Sequence, residues 1–154
     1  MKNRLLWTSR GEVSRIAAQL ARLPLFEHAD HRALRRIAAE GYAVTIPANW
    51  PLIHQNTPAD KTYIILGGAV DVRRADAGVI RLGAGNVVGE MAFLESNLRS
   101  ATVVAATPLE VLHFTADAVR RLYTDVRPFA AALHAARGER GGRAVEFETR
   151  ASRA

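Results

Sequence analysis

The spacing of apolar residues changes twice along this chain. From Gly11 to Gly41 they recur every three or four positions, with Ile16, Leu20 and Leu23 in step until Pro24 interrupts the pattern, as in a helix. Asp30 is placed to cap a second helix in which Leu34, Ile37 and Ala38 form the apolar stripe. Arg35, Arg36 and Glu40 fall on its watery side and Gly41 ends it. From Tyr42 the period drops to two. Short segments rich in Val, Ile and Tyr follow at 42–46, 51–54, 62–66, 69–73, 79–82, 87–89, 100–105 and 109–114. Between them stand turn formers such as Pro47, Gly67-Gly68, Asp76-Ala77-Gly78 and Thr107-Pro108. This spacing predicts a mainly β fold with flanking helices, built as an eight-stranded antiparallel jelly-roll barrel.

Helical spacing returns after Phe114. Thr115 is the N-cap of a short helix with Val119, Leu122 and Tyr123 on one face. A second helix runs from about Asp125, with Pro128 in its first turn, through Phe129, Leu133 and Ala136 to about Arg140. The chain therefore divides into an N-terminal helical segment at 1–41, a β jelly roll at 42–114, two C-terminal helices at 115–140 and a flexible basic tail at 141–154.

Composition narrows the class. A chain of 154 residues is one ordinary domain, and its 49% apolar and 23% charged residues suit a globular protein with a real core. No run approaches the roughly 20 apolar residues of a membrane span, and the first thirty residues lack the apolar core of a secretory signal, so a cytoplasmic protein is expected. The absence of cysteine removes disulfides, thiolate metal sites and thiol nucleophiles together. The net charge of +6 comes almost wholly from arginine, since Lys2 and Lys61 are the only lysines. An anionic partner follows from that balance, although the arginines are dispersed and most of them, the Arg73-Arg74 pair included, read as solvated faces.

The densest chemistry lies at Val88-Gly89-Glu90-Met91-Ala92 and, nine positions after the Glu, Arg99-Ser100-Ala101-Thr102. Gly89 opens backbone torsions closed to other residues, so a tight turn can bring main chain against a ligand. The residues after it can form one helical turn whose first N–H groups face an incoming anion. Arg99 offers a planar, permanently charged fork matched to phosphate oxygens, whereas ionised Glu90 only accepts and so suits sugar hydroxyls. A plain Glu–Arg salt bridge is the other reading of the pair.

The order of helices, strands and closing helices around this segment resembles the cyclic-nucleotide-binding domain family. That family includes the sensor halves of catabolite activator protein, of the protein kinase A regulatory subunit and of cyclic-nucleotide-gated channels. The resemblance covers roughly residues 20–140 and has a second match in Asp60-Lys61-Thr62-Tyr63-Ile64-Ile65-Leu66-Gly67-Gly68-Ala69-Val70, similar to the family's strand-turn-strand motif ending in Gly-x-Val. It implies that 88–102 is a phosphate-binding cassette, with Arg99 on the cyclic phosphate and Glu90 accepting from the ribose 2′-hydroxyl. Main-chain N–H groups near Met91, Ala92 and Ala101 would complete the phosphate cradle, with Val88 and Gly89 at its root. Val72 would pack against the purine, and Ser100 stands where the family places a hydroxyl that reaches the guanine amino group. The family often has Pro at Leu98, Gly at Ser96 and Gly at Asn56, so the turn before Arg99 is looser here.

Other chemistries have less support. A metal enzyme on the same jelly roll needs several His and a carboxylate converging from neighbouring strands. Of His28, His31, His54, His113 and His134 only His54 and His113 fall on expected strands. No Ser has a His base at a recognisable spacing, and Gly83-Ala84-Gly85 precedes a strand where a Walker loop would need a helix. The fourteen residues after Arg140 are too few for a helix-turn-helix, so no specific DNA binding is expected. The expectation is a non-enzymatic, stand-alone sensor of cyclic AMP or cyclic GMP, with no metal or other cofactor, that changes conformation to regulate an unidentified protein partner. A second copy docking through the last helix is one candidate. The alternatives are a ligand-free scaffold that keeps the fold, or the sensor fragment of a longer transcription regulator, channel or transporter.

Overall fold

The computed structural model describes residues 10–53, 61–74, 78–89 and 101–136. Helix α1 (Arg10–Ala21) buries Val13, Ile16, Ala17 and Leu20 on one face. A 3-10 turn at Pro24–Phe26 ends the helical run where Pro24 was expected to break it. Helix α2 (His31–Glu40) begins at Asp30, whose carboxylate accepts from the Ala33 N–H at 2.8 Å, and buries Leu34, Ile37 and Ala38. Gly41 ends α2 for a reason the sequence conceals. Its φ of −91° is open to any residue. What excludes a side chain is crowding: a Cβ there would lie 2.6 Å from Leu112 and 2.9 Å from Phe114.

Eight strands follow: β1 (Tyr42–Ile46), β2 (Pro51–Ile53), β3 (Lys61–Gly67), β4 (Ala69–Arg74), β5 (Gly78–Gly83), β6 (Val87–Val88), β7 (Thr102–Ala105) and β8 (Leu109–Thr115). All the pairings are antiparallel, as expected. They do not close into a barrel, however. The strands form two four-stranded sheets, in the orders β1-β8-β3-β6 and β2-β7-β4-β5. Splitting the strands this way leaves two inner faces that share one apolar layer, with Ile65, Val88, Leu109 and Val111 from the first sheet meeting Ile53, Val70, Leu82, Val103 and Ala105 from the second.

The outer face of the first sheet carries the helices. Ile64, Leu112 and Phe114 pack there in one core with α1, α2 and the C-terminal helices. Helix α3 (Ala116–Asp125) is capped by Thr115, whose hydroxyl accepts from the Ala118 N–H at 3.2 Å. Helix α4, residues 127–136, follows after Val126 and buries Phe129, Leu133 and Ala136. The Phe129 ring meets Phe114 edge-on at 5.4 Å. Arg36 and Glu40 do not simply face water. Arg36 pairs with Asp125 and Glu40 with Arg121, each at 3.0 Å, so these two side chains tie α2 to α3. The expected tail at 141–154 lies outside the described residues.

Gly68 shows why the turn between β3 and β4 takes glycine. Its φ is +89°, and a Cβ would lie against the Pro108 carbonyl oxygen and 2.8 Å from Thr107 Oγ1, which already accepts from the Ala69 N–H at 3.0 Å. Gly68→Ala combines torsional strain with a clash against backbone. It should lower folding stability by about 2–4 kcal/mol in urea denaturation. A loss within about 0.5 kcal/mol, the range of an ordinary surface change, would contradict this account of the turn.

Candidate functional site

Strand register decides which side chains share the inner face of the β2-β7-β4-β5 sheet. Along β4, Val70, Val72 and Arg74 stand opposite Leu82, Ile80 and Gly78 of β5. On the other side, Val70 and Val72 stand opposite Ala105 and Val103 of β7. Successive rows open toward the β4–β5 hairpin. Ala105, Val70 and Leu82 are closed off between the sheets, whereas in the next row Val103 is buried but Val72 and Ile80 are only partly so. An apolar platform partly uncovered at one end of a sandwich is a surface on which a flat ring can lie.

The alternate residues of these strands face outward. Asp71 accepts from Arg81 Nε at 2.9 Å and Nη2 at 3.2 Å. This two-point contact holds the Asp71 carboxyl below its ordinary 3.8 and raises the Arg81 guanidinium. Arg73 is exposed, as a solvated face requires. Arg74 is not: it is partly buried on the Val72 side, because neighbouring residues of a strand point to opposite faces.

Residues 90–100 connect the two sheets. They start after Gly89, which follows β6 with φ of +92°, and end at Ala101, which is 8% exposed and precedes β7. The glycine torsion is the one expected of the position, since other residues are strained there. Thr102 stands opposite Arg73, so Ala101 lies toward the open end, beyond the Val72 row. Of the expected ligand-binding residues, Val72, Val88, Gly89 and Ala101 have these positions; Glu90, Met91, Ala92, Arg99 and Ser100 lie outside the described residues. The Val88 side chain is 1% exposed and belongs to the layer between the sheets.

Facing the platform, the first sheet presents a transverse row that register alone reveals. Val88 stands opposite Tyr63, Tyr63 opposite His113, and His113 opposite Tyr42. The Tyr42 and His113 rings stack at 5.2 Å, the Tyr63 ring tilts against His113 at 6.0 Å, and the Tyr63 hydroxyl approaches the Leu52 carbonyl of the opposite sheet at 3.5 Å. The shared parity of these aromatic positions on three strands was the available signal, but it needs the pairing to be read. Among the described residues no group of three or more His, Asp or Glu is placed to hold a metal ion. Nor is any helix there long and apolar enough to cross a membrane.

A family model described as the cyclic nucleotide-binding domain matches residues 43–125, from the second residue of β1 to the end of α3. The chain belongs to the cyclic nucleotide-binding domain family. Among curated relatives it is 34% identical over 103 residues to a cyclic nucleotide-gated potassium channel of Mesorhizobium japonicum, an overlap of 67% of this chain and 28% of the channel. The chain spans about a quarter of the length of the curated relatives it matches. Among solved structures, a cyclic nucleotide-binding domain from Methylobacillus flagellatus shares the fold with a TM-score of 0.72 at 22% identity, over 87% of this chain and 80% of that one. A cAMP-binding acyltransferase from Mycobacterium smegmatis gives a TM-score of 0.67 at 29% identity, over 83% of this chain and 41% of that one.

Proposed function

We propose that this chain is a sensor that binds cyclic AMP or cyclic GMP and passes the binding event to a partner protein, with no reaction of its own. The observation that carries the reading is the partly uncovered Val72–Ile80 platform beside Ala101 and across the 90–100 segment from Gly89. In this reading the purine lies on Val72, Glu90 takes the ribose 2′-hydroxyl, and Arg99 with the main chain near Met91, Ala92 and Ala101 takes the cyclic phosphate. Ligand binding draws the cassette inward and the helices at 115–140 repack over the base, a shift between two states that the ligand binds unequally. The altered helices are the output surface, for a different protein or a second copy. The cysteine-free composition fits work in the cytoplasm.

The short overlap with the channel relatives favours a second reading of the context, in which this sensor is one part of a longer regulator, channel or transporter. The site chemistry is the same in both. Melting curves test the sensor itself. Cyclic nucleotide at about 100 times its Kd adds about 2.7 kcal/mol to the folded state and raises the melting temperature by several degrees. 5′-AMP, which lacks the fused phosphodiester ring, should leave it unchanged. No shift with either cyclic nucleotide at millimolar concentration would favour a ligand-free scaffold instead.

A further inference from the structure

We propose that Arg74 reads the guanine edge of the nucleotide and biases this site toward cyclic GMP. The inference rests on the cyclic-nucleotide reading above and names the base that reading leaves open. Arg74 is the next inward position after Val72 on β4, about 6–7 Å further toward the hairpin. Its partner across β5 is Gly78, at φ of +81°, which puts no side chain beside it. Toward β7 its neighbour is the small Ala101, the residue before Thr102. Arg74 therefore stands at the margin of the Val72–Ile80 platform, and its register neighbours on β5 and β7 are a glycine and an alanine.

Its bonding is incomplete. Arg74 Nε is shielded from solvent and has no hydrogen-bond partner. Asp71, the carboxylate on the same strand, faces the other way and is taken by Arg81. A shielded guanidinium N–H without an acceptor is costly, and a ligand acceptor at this spot removes that cost. Arginine donates five N–H groups and accepts none. Guanine offers two adjacent acceptors, O6 and N7, that match the fork. Adenine offers N7 beside an amino donor, which would meet the guanidinium N–H head on. A purine lying on Val72 with its O6/N7 edge toward the hairpin is thus matched by Arg74 only when it is guanine.

The test is titration calorimetry of the full chain and of Arg74→Met with cyclic AMP, cyclic GMP and 7-deaza-cyclic GMP, the last lacking the N7 acceptor. Arg74→Met should lower the affinity for cyclic GMP relative to cyclic AMP by about tenfold or more. The deaza ligand should bind the unaltered chain about tenfold more weakly than cyclic GMP and show no such deficit on Arg74→Met. The deficit on the unaltered chain is measured without any substitution, so a poorly folded variant does not decide the question. If both nucleotides bind and the deaza ligand matches cyclic GMP on the unaltered chain, Arg74 does not read the base and this inference alone fails. If neither nucleotide binds the unaltered chain, the sensor reading fails and takes the inference with it.

Discussion

Replacing Arg99 by alanine is expected to weaken binding of cyclic AMP and cyclic GMP alike by roughly 2–5 kcal/mol, well beyond tenfold. In the proposed site the guanidinium meets the cyclic phosphate, which is the part the two ligands share, so truncation strands the same negative charge in each complex. The loss should therefore fall equally on both nucleotides, in contrast to Arg74→Met, which should separate them. Arg99→Lys keeps the charge but not the two-point fork, and should lie between the unaltered chain and Arg99→Ala. Titration calorimetry measures all three. Equal affinities for the unaltered chain and Arg99→Ala would remove Arg99 from the site.

Phe114→Ala is expected to cost about 3–5 kcal/mol of folding stability. Phe114 is fully buried on β8, where the first sheet meets the helices, and its ring is the edge-on partner of Phe129 in α4. On the α2 side its neighbour is Gly41, which has no side chain to move into the vacated space, so the cavity collapses poorly. Phe129→Ala should cost a similar amount. A double-mutant cycle should return a coupling of about 0.5–1.5 kcal/mol, because each ring loses the same contact. Urea denaturation without ligand measures these quantities. A cost for Phe114→Ala of less than about 1 kcal/mol, the scale of an ordinary substitution, would contradict the packing described between β8 and α4.

The elements were legible where local rules decide them. Tyr42–Ile46 has the bounds expected of it, and Ala69–Arg74 extends the expected strand by one residue, because alternating Val and polar residues between Gly or Pro turns leave little choice. The caps at Asp30 and Thr115 were likewise local, since each side chain bonds an N–H three residues on. What depends on distant partners was not legible. An alternating pattern gives eight strands but not their division into two sheets, nor the Tyr42–His113–Tyr63 row that pairing assembles. Glu40 has the sequence pattern of a solvated helix face, yet it pairs with Arg121, some eighty positions away. Gly41 ends α2 as expected, but the crowding by Leu112 that requires a glycine there comes from a distant strand.

The candidate site divides in the same way. The positive φ of Gly89 follows from the turn chemistry of the segment itself. Val72 and Ala101 come together through strand register, which the family resemblance supplied and periodicity did not. Arg74 was overlooked because two adjacent arginines resemble a charged surface; counting by twos from Val70 would have placed it on the inner face.

An amide NMR titration tests the central claim most directly, that a cyclic nucleotide occupies the open end of the sandwich. On adding cyclic AMP or cyclic GMP, the amides of Val72, Gly89 and Ala101 should shift together and saturate with one Kd, while 5′-AMP leaves them in place. Saturable binding that moves only residues elsewhere, such as the outward-facing Asp71 and Arg81, or no movement at any ligand concentration, would contradict it.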